Sequence, residues 1–261
     1  MTLTDAFDAS SWVGSWPFIN NFETDLTLLA TQLESTGITG AAISPLAAIL
    51  GPDPMMANLS LLEQVRDYSG DFRVRVVPIL DPSLPGWERD LALLLSEHRQ
   101  AIAAIRIVPS YHSLGVAGAE STRLATAVAE ANLGLCVQVR ILDERAHHPL
   151  MVVPGVPADA IVNLAKAVPN GRILACGIFR SELPMLASAP NIFVELSSIE
   201  SGDTLADAIE AMGADRLLLG THAPVYYPLP AVAKLTSSDQ PADVLDQITS
   251  GNARAFFNFA P

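Results

Sequence analysis

Along the chain, short apolar runs of β-forming composition alternate with longer stretches whose apolar residues recur at helical spacing. The first run covers residues 7–13. A helical stretch follows over about 23–35, with Leu26, Leu29 and Leu33 on one side and Gly37 as its C-terminal stop. Further runs predict strands at 40–44, 73–80, 103–108, 134–141, 172–176, 192–196 and 216–219. Helical periodicity predicts helices at 59–68, 87–98, 121–131, 158–168, near 182–187, at 204–212 and at about 241–257. A loop rich in proline and methionine spans 45–56, and the longest polar insertion spans 142–157.

Eight β-then-α units in 261 residues predict an α/β fold, a (β/α)₈ TIM-type barrel, with residues 1–261 forming one domain. The strands are apolar on both faces, as parallel strands covered by helices must be. An open doubly wound sheet is the alternative, and no Gly-rich phosphate loop after a strand supports it.

Composition narrows the function. Hydrophobic residues make up 50% of the chain and charged residues 16%, which suits a folded domain. The net charge of −13 repels phosphate backbones and anionic lipid, so neither nucleic acid nor a membrane surface is an expected partner. Of the 15 basic residues only Lys166 and Lys234 are lysines; the rest are arginines, suited to planar contacts with carboxylates. The first basic residue is Arg66, which argues against a secretory leader, and the two cysteines, Cys136 and Cys176, lie in apolar runs. The expectation is a cytoplasmic protein with a small-molecule substrate. Tyr226, Tyr227 and Leu229 suit either a pocket wall or a homo-oligomer interface.

In such a barrel the active site lies at the C-terminal strand ends. Four of the five histidines fall there: His112, His147, His148 and His222. Histidine moves protons near neutral pH, so their shared end of the barrel points to an enzyme. His222 and His112 are the expected acid–base pair, with Asp143 orienting an arginine or histidine. Gln138 and Arg140 share strand parity, so Arg140 and Arg145 are placed to clamp a substrate carboxylate, supported by Arg106. Asp143 and Glu144 can equally neutralise these arginines, and Glu195 can be an internal partner to one of them. Ser10, Trp12, His148 and Tyr226 complete the expected substrate-binding set. No G-x-S-x-G nucleophile motif is present.

Several segments resemble the amidohydrolase superfamily, in its amidohydrolase-related (amidohydrolase 2) branch. They are Phe7-Asp-Ala-Ser-Ser-Trp-Val-Gly, Ile105-Arg-Ile-Val-Pro-Ser-Tyr-His, Pro190-Asn-Ile-Phe-Val-Glu, Asp215-Arg-Leu-Leu-Leu-Gly-Thr-His-Ala-Pro and Gly251-Asn-Ala-Arg-Ala-Phe-Phe, and their order is kept across the whole chain. The resemblance implies the barrel and the place of the site. It also implies that Ser10 and Trp12 stand where the family has its HxH metal motif, and His222 where it has an aspartate. The expected function is therefore metal-independent hydrolysis of a lactone or amide, or C–C cleavage, of a small carboxylate- or carbonyl-bearing molecule, with no cofactor. Two alternatives stay open. One is an inactive barrel used as a binding or assembly subunit. The other is a divalent ion such as zinc held by a relocated set of His112, His147, His148 and His222 with Asp143 or Glu195.

Overall fold

A computed structural model describes residues 3, 5–19, 23–150 and 152–259. The chain opens with the long strand β1 (Ala6–Ser15) and a two-residue antiparallel strand β2 (Glu23–Thr24) that returns on its end. Then come α1 (Leu26–Glu34), β3 (Ile38–Pro45), α2 (Ala47–Leu50), α3 (Pro54–Asp67), β4 (Arg73–Val76), α4 (Trp87–Glu97) and β5 (Ala104–Ile107). The second half adds α5 (Pro109–His112), α6 (Ala119–Glu130), β6 (Gly134–Gln138), α7 (Ala158–Ala167), β7 (Arg172–Cys176), α8 (Leu183–Leu186) and β8 (Ile192–Glu195). It closes with α9 (Thr204–Met212), β9 (Leu217–Leu218), α10 (Pro228–Thr236), α11 (Ala242–Asp246) and α12 (Asn252–Phe257).

Except for β2, neighbouring strands pair in parallel and close a (β/α)₈ barrel. Single bridges from Val76 to Ile102 and from Ile79 to Arg106 join β4 to β5. The last seam is backbone bonding: Ala9 N donates to Leu219 O at 2.8 Å, and Trp12 N to Ala223 O at 2.7 Å. The register shifts twice within β1, between Ala6 and Phe7 and between Asp8 and Ser11. Such an irregularity re-aims side chains, here beside the polar residues that matter most below.

Three apolar layers hold the barrel. A large one lies between strands and helices, with Leu29, Leu33, Ile105, Leu135, Leu164 and Leu205 among its members. A second fills the lower interior, where Phe256 and Phe257 of α12 meet Phe7. Gly134 opens β6 there because a Cβ would lie 2.5 Å from the Phe256 ring. A third fills the mouth and contains Trp12, Trp16, Leu46, Ile79, Val108 and Ile141. Each large side chain sealed there stabilises the fold by about 3 kcal/mol.

The predicted elements are present with shifted ends. α3 begins inside the loop predicted over 45–56, because Asp53 caps it through Met55 N at 2.9 Å and Pro54 suits its first turn. The third predicted strand stops at Val76, and only the Ile79 bridge carries on its course. α10 is an addition, since Pro228 and Pro230 obscure its periodicity in the sequence. The closing helix is interrupted by a π-helical turn at Gln247–Gly251.

Candidate active site

At the centre of the mouth the strand ends form a closed network. Arg106, on β5, is fully buried, and its Nη2 donates to Ser10 Oγ at 3.1 Å. Its guanidinium lies 4.3 Å from the Trp12 ring, a cation–π contact. Trp12 Nε1 donates to His222 Nδ1 at 3.1 Å, and His222 Nε2 donates to Ile141 O at 2.9 Å. The carbonyl fixes the tautomer: Nδ1 accepts and Nε2 carries the hydrogen. Burial, helped by the Arg106 charge, pushes the His222 imidazole down to about 3, so it is neutral at pH 7. Its backbone sits at φ 59°, in the left-handed region, held by the bond from His222 N to Ser10 O.

The same geometry revises the expected role of His222. Both ring nitrogens are engaged, the side chain has no solvent access, and the ring holds Trp12 in place. His112 is held through Nε2, bonded to Ile49 O at 3.1 Å, while its buried Nδ1 lies 3.8 Å from Asp81 Oδ2 and makes no hydrogen bond. His147 and His148 each accept a loop amide on Nδ1, from Val153 N and Leu150 N. The four histidines therefore share one end of the barrel but serve separate local structures, because a common strand end does not set side-chain direction.

The expected carboxylate clamp also divides. Arg140 forms a bidentate pair with Glu182, at 2.7 and 2.8 Å, and stacks 4.0 Å from the Phe179 ring. Gln138 Nε2 donates to Arg140 O at 2.6 Å, while its buried Oε1 has no partner. Arg140, which also donates to Gly177 O at 3.2 Å, thus ties the end of β6 to the loop after β7, and Gln138 braces its backbone locally. Asp143 is held by Arg145, whose hydrogen bonds draw its carboxyl down to about 2. It orients that exposed arginine and no histidine.

An open cavity of about 850 Å³ lies to one side, where the loops after β6, β7, β8 and β9 meet α10. Its rim carries Arg145 and Arg180, and its wall Phe179 and Tyr226. Two nearly buried hydroxyls are part of its lining, Ser197 and Thr221, and each donates to a fully buried carboxylate. Ser197 Oγ donates to Glu195 Oε1 at 2.8 Å. Glu195 is further fixed by Gly177 N and Ser197 N, each at 2.6 Å. Gly220 leaves room for it, since a Cβ there would meet Glu195 Oε2 at 2.4 Å. Thr221 Oγ1 donates to Asp8 Oδ2, which also takes the Ser11 hydroxyl; Asp8 Oδ1 accepts Ser10 N at 2.9 Å and Thr221 N at 3.0 Å. Burial outweighs these bonds and lifts the Asp8 carboxyl to about 6. Lys234 of α10 braces the floor by donating to Leu196 O at 2.8 Å and Ser197 O at 3.0 Å.

Glu195, Ser197, Ser198, Thr221 and Arg180 are polar residues at or just after strand ends, and Asp8 is a polar residue inside β1, which is the one signal by which the sequence marks them. Nothing in the sequence separates them from the sealed set. Tyr226 belongs to both regions: its ring lies 5.2 Å from His222, and its hydroxyl accepts Asp143 N at 3.1 Å. A second cavity, about 540 Å³, lies among Phe18, Tyr111, Leu142, His147, His148 and Val153.

A divalent ion needs several imidazole, thiolate or carboxylate donors converging on one point. Among the described residues no group of three His, Cys, Asp or Glu is arranged to hold one. At the centre of the mouth Ser10 is a weak donor, Trp12 has no free lone pair, and both His222 nitrogens are engaged. These residues do not fit a metal. No helix among the described residues is long and apolar enough to cross a membrane.

A family model described as Amidohydrolase matches residues 56–259. No match was found among curated protein sequences. The fold is similar to 5-carboxyvanillate decarboxylase from Sphingomonas paucimobilis, at 15% identity and a TM-score of 0.77, covering 99% of this chain and 100% of that one. It is also similar to a dihydroxybenzoic acid decarboxylase from a Polaromonas species, solved with bound manganese and the inhibitor 2-nitroresorcinol, at 16% identity and a TM-score of 0.75, covering 99% and 98%. A candidate 2-pyrone-4,6-dicarboxylic acid hydrolase from Pseudomonas putida matches at 17% identity and a TM-score of 0.69, covering 99% of each chain. At these identities the likeness establishes the barrel.

Proposed function

The chain belongs to the amidohydrolase family, a group of hydrolases and lyases, and from that premise we propose that it is a metal-independent member acting on a small aromatic carboxylate or lactone in the cavity beside the mouth. One observation carries the reading: two hydroxyls on the cavity floor, Ser197 and Thr221, each hydrogen-bonded to a buried carboxylate. The neighbouring structures add the substrate class, since they are named for aromatic or pyrone carboxylates.

In this reading the substrate's carboxylate meets Arg180 and Arg145 at the rim. Arg180 keeps donors free, because its contact to Asp207 runs through Nε at 2.9 Å. The ring packs against Phe179, Val225 and Tyr227. Asp8, lifted to about 6, takes a proton through Thr221: the Thr221 proton passes to Asp8 Oδ2 as Thr221 Oγ1 receives one from the substrate or from water. Ser197, with its proton directed to Glu195, presents an oxygen lone pair to the same space.

The test pairs thermal shift with turnover, using 2,6-dihydroxybenzoate, 5-carboxyvanillate and a pyrone dicarboxylate as probes. Binding that Arg180→Ala weakens, together with turnover that Asp8→Asn abolishes, is the expected result. Binding without any turnover favours a second reading, a ligand-binding barrel without chemistry. The sealing of Arg106, Trp12 and His222 at the centre of the mouth is the observation in its favour. Absence of both binding and turnover removes the cavity as a carboxylate site.

A further inference from the structure

A fully buried arginine at the mouth of a barrel is unusual, because an unpaired charge in a low-dielectric interior is costly. Arg106 nevertheless has one hydrogen bond, to Ser10 Oγ, and no carboxylate within ion-pair distance among the described residues. Its Nε and Nη1 are buried without partners. It also meets the buried Cys136 thiol, its register partner on β6, and the face of Trp12 at 4.3 Å, and Trp12 in turn holds His222 through Nε1 at 3.1 Å. These contacts join Ser10, Trp12 and His222, the three residues that replace expected metal ligands, to a single guanidinium.

We propose that Arg106 is the resident cation of this barrel mouth, standing in place of a divalent ion and excluding one. Three features of the site point the same way. The donors beside the guanidinium are a hydroxyl, an indole, an imidazole with both nitrogens in use and the buried Cys136 thiol, and among the described residues no three His, Cys, Asp or Glu converge to hold a metal. The aromatic face that Trp12 offers attracts a guanidinium and cannot ligate a metal. A positive guanidinium repels a second cation at contact range. Trp12, Trp16 and Ile79 cover it from solvent, so its charge is fixed by packing and no exchangeable ligand is required. The inference deepens the metal-free part of the proposed function, and it is read out without turnover, so either can fail alone.

The experiment uses the full chain, expressed in medium supplemented with manganese and zinc, then dialysed and analysed for metals. Fewer than 0.1 equivalents per chain is roughly the content expected of a protein without a structural site, and neither chelator nor added manganese then shifts Tm. About one equivalent, whose removal by chelator lowers Tm, overturns the proposal. Arg106→Gln and Arg106→Lys form the second arm. Arg106→Gln is expected to lower Tm by about 10 °C, because the lost contact with the Trp12 face and the bond to Ser10 Oγ outweigh the relief of a buried charge, and Arg106→Lys by less than half of that, because lysine keeps a cation over the ring. A further readout is the His222 imidazole by NMR, which should titrate at higher pH in Arg106→Gln and stay depressed in Arg106→Lys. Equal losses in the two variants, with no change in His222, overturn the charge role.

Discussion

The centre of the barrel mouth and its flank draw on neighbouring strand ends, yet they differ in what they leave free. At the centre Arg106, Trp12, Ser10 and His222 bond to one another beneath Trp16 and Ile79, and solvent reaches none of the four. On the flank Ser197 and Thr221 direct their protons to buried carboxylates, Thr221 Oγ1 also accepts Ala223 N at 3.0 Å, and both residues line a cavity of about 850 Å³. Polarity alone therefore does not mark a working site. What matters is whether a group's hydrogen-bonding capacity is consumed inside the fold or left facing a space that admits a ligand. Asp8 links the two regions, since it binds Ser10 and Ser11 on one side and Thr221 on the other.

The comparison is broken most sharply at Asp8. Asp8→Asn should lower turnover by about 10²–10⁴-fold, the usual worth of a positioned acid–base group, while ligand binding on the flank persists. Steady-state kinetics with a thermal-shift control checks this; turnover equal to that of the native protein would return the chemistry to the centre.

Trp12→Ala tests the opposite side. It removes a sealed aromatic and leaves His222 Nδ1 without its donor, so stability should fall by about 3–5 kcal/mol, while flank affinity per folded molecule stays unchanged. Chemical denaturation and a binding titration on the folded fraction separate the two quantities.

Acidity sharpens the contrast further. The native pKa of Asp8, about 6, lies above its unfolded value of 3.8. Its stabilising contribution is therefore complete below 3.8 and is lost as pH rises through 6, a change of about 3 kcal/mol. His222 runs the other way: its native value of about 3 means that its contribution is complete above 6.5 and is lost as pH falls toward 3. The stability of Asp8→Asn relative to the native protein should rise between pH 4 and pH 7. A flat difference across that window would mean that Asp8 is not desolvated.

Arg180→Ala has a smaller expected effect, about tenfold in carboxylate affinity, or roughly 1.4 kcal/mol, with Tm unchanged because the side chain is exposed. The smallest belongs to Tyr226→Phe. Losing its hydroxyl removes the bond from Asp143 N and should cost about 1 kcal/mol, detectable as a modest fall in Tm.

How far the sequence could be read follows from the physics of each feature. The barrel was legible because parallel strands buried on both faces and amphipathic helices leave periodic apolar patterns, as in residues 134–138 and 158–167. α10 was hidden because its prolines break the expected pattern, though Pro228 sits where a helix tolerates it. Site residues were legible only as strand-end polar positions. His222 and Thr221 are adjacent in sequence, yet one faces a sealed tryptophan and the other lines a cavity.

By itself, then, the sequence determined the eight-unit barrel and the end at which polar residues gather. Only the tertiary structure decided that Arg140 belongs to Glu182, that Arg106 lies on Trp12, and that Asp8 and Glu195 stand behind hydroxyls facing open space. The reason is physical. Periodicity is a local property written along the chain, whereas the partner of a charge and its distance from water depend on residues far apart in sequence that packing alone brings together.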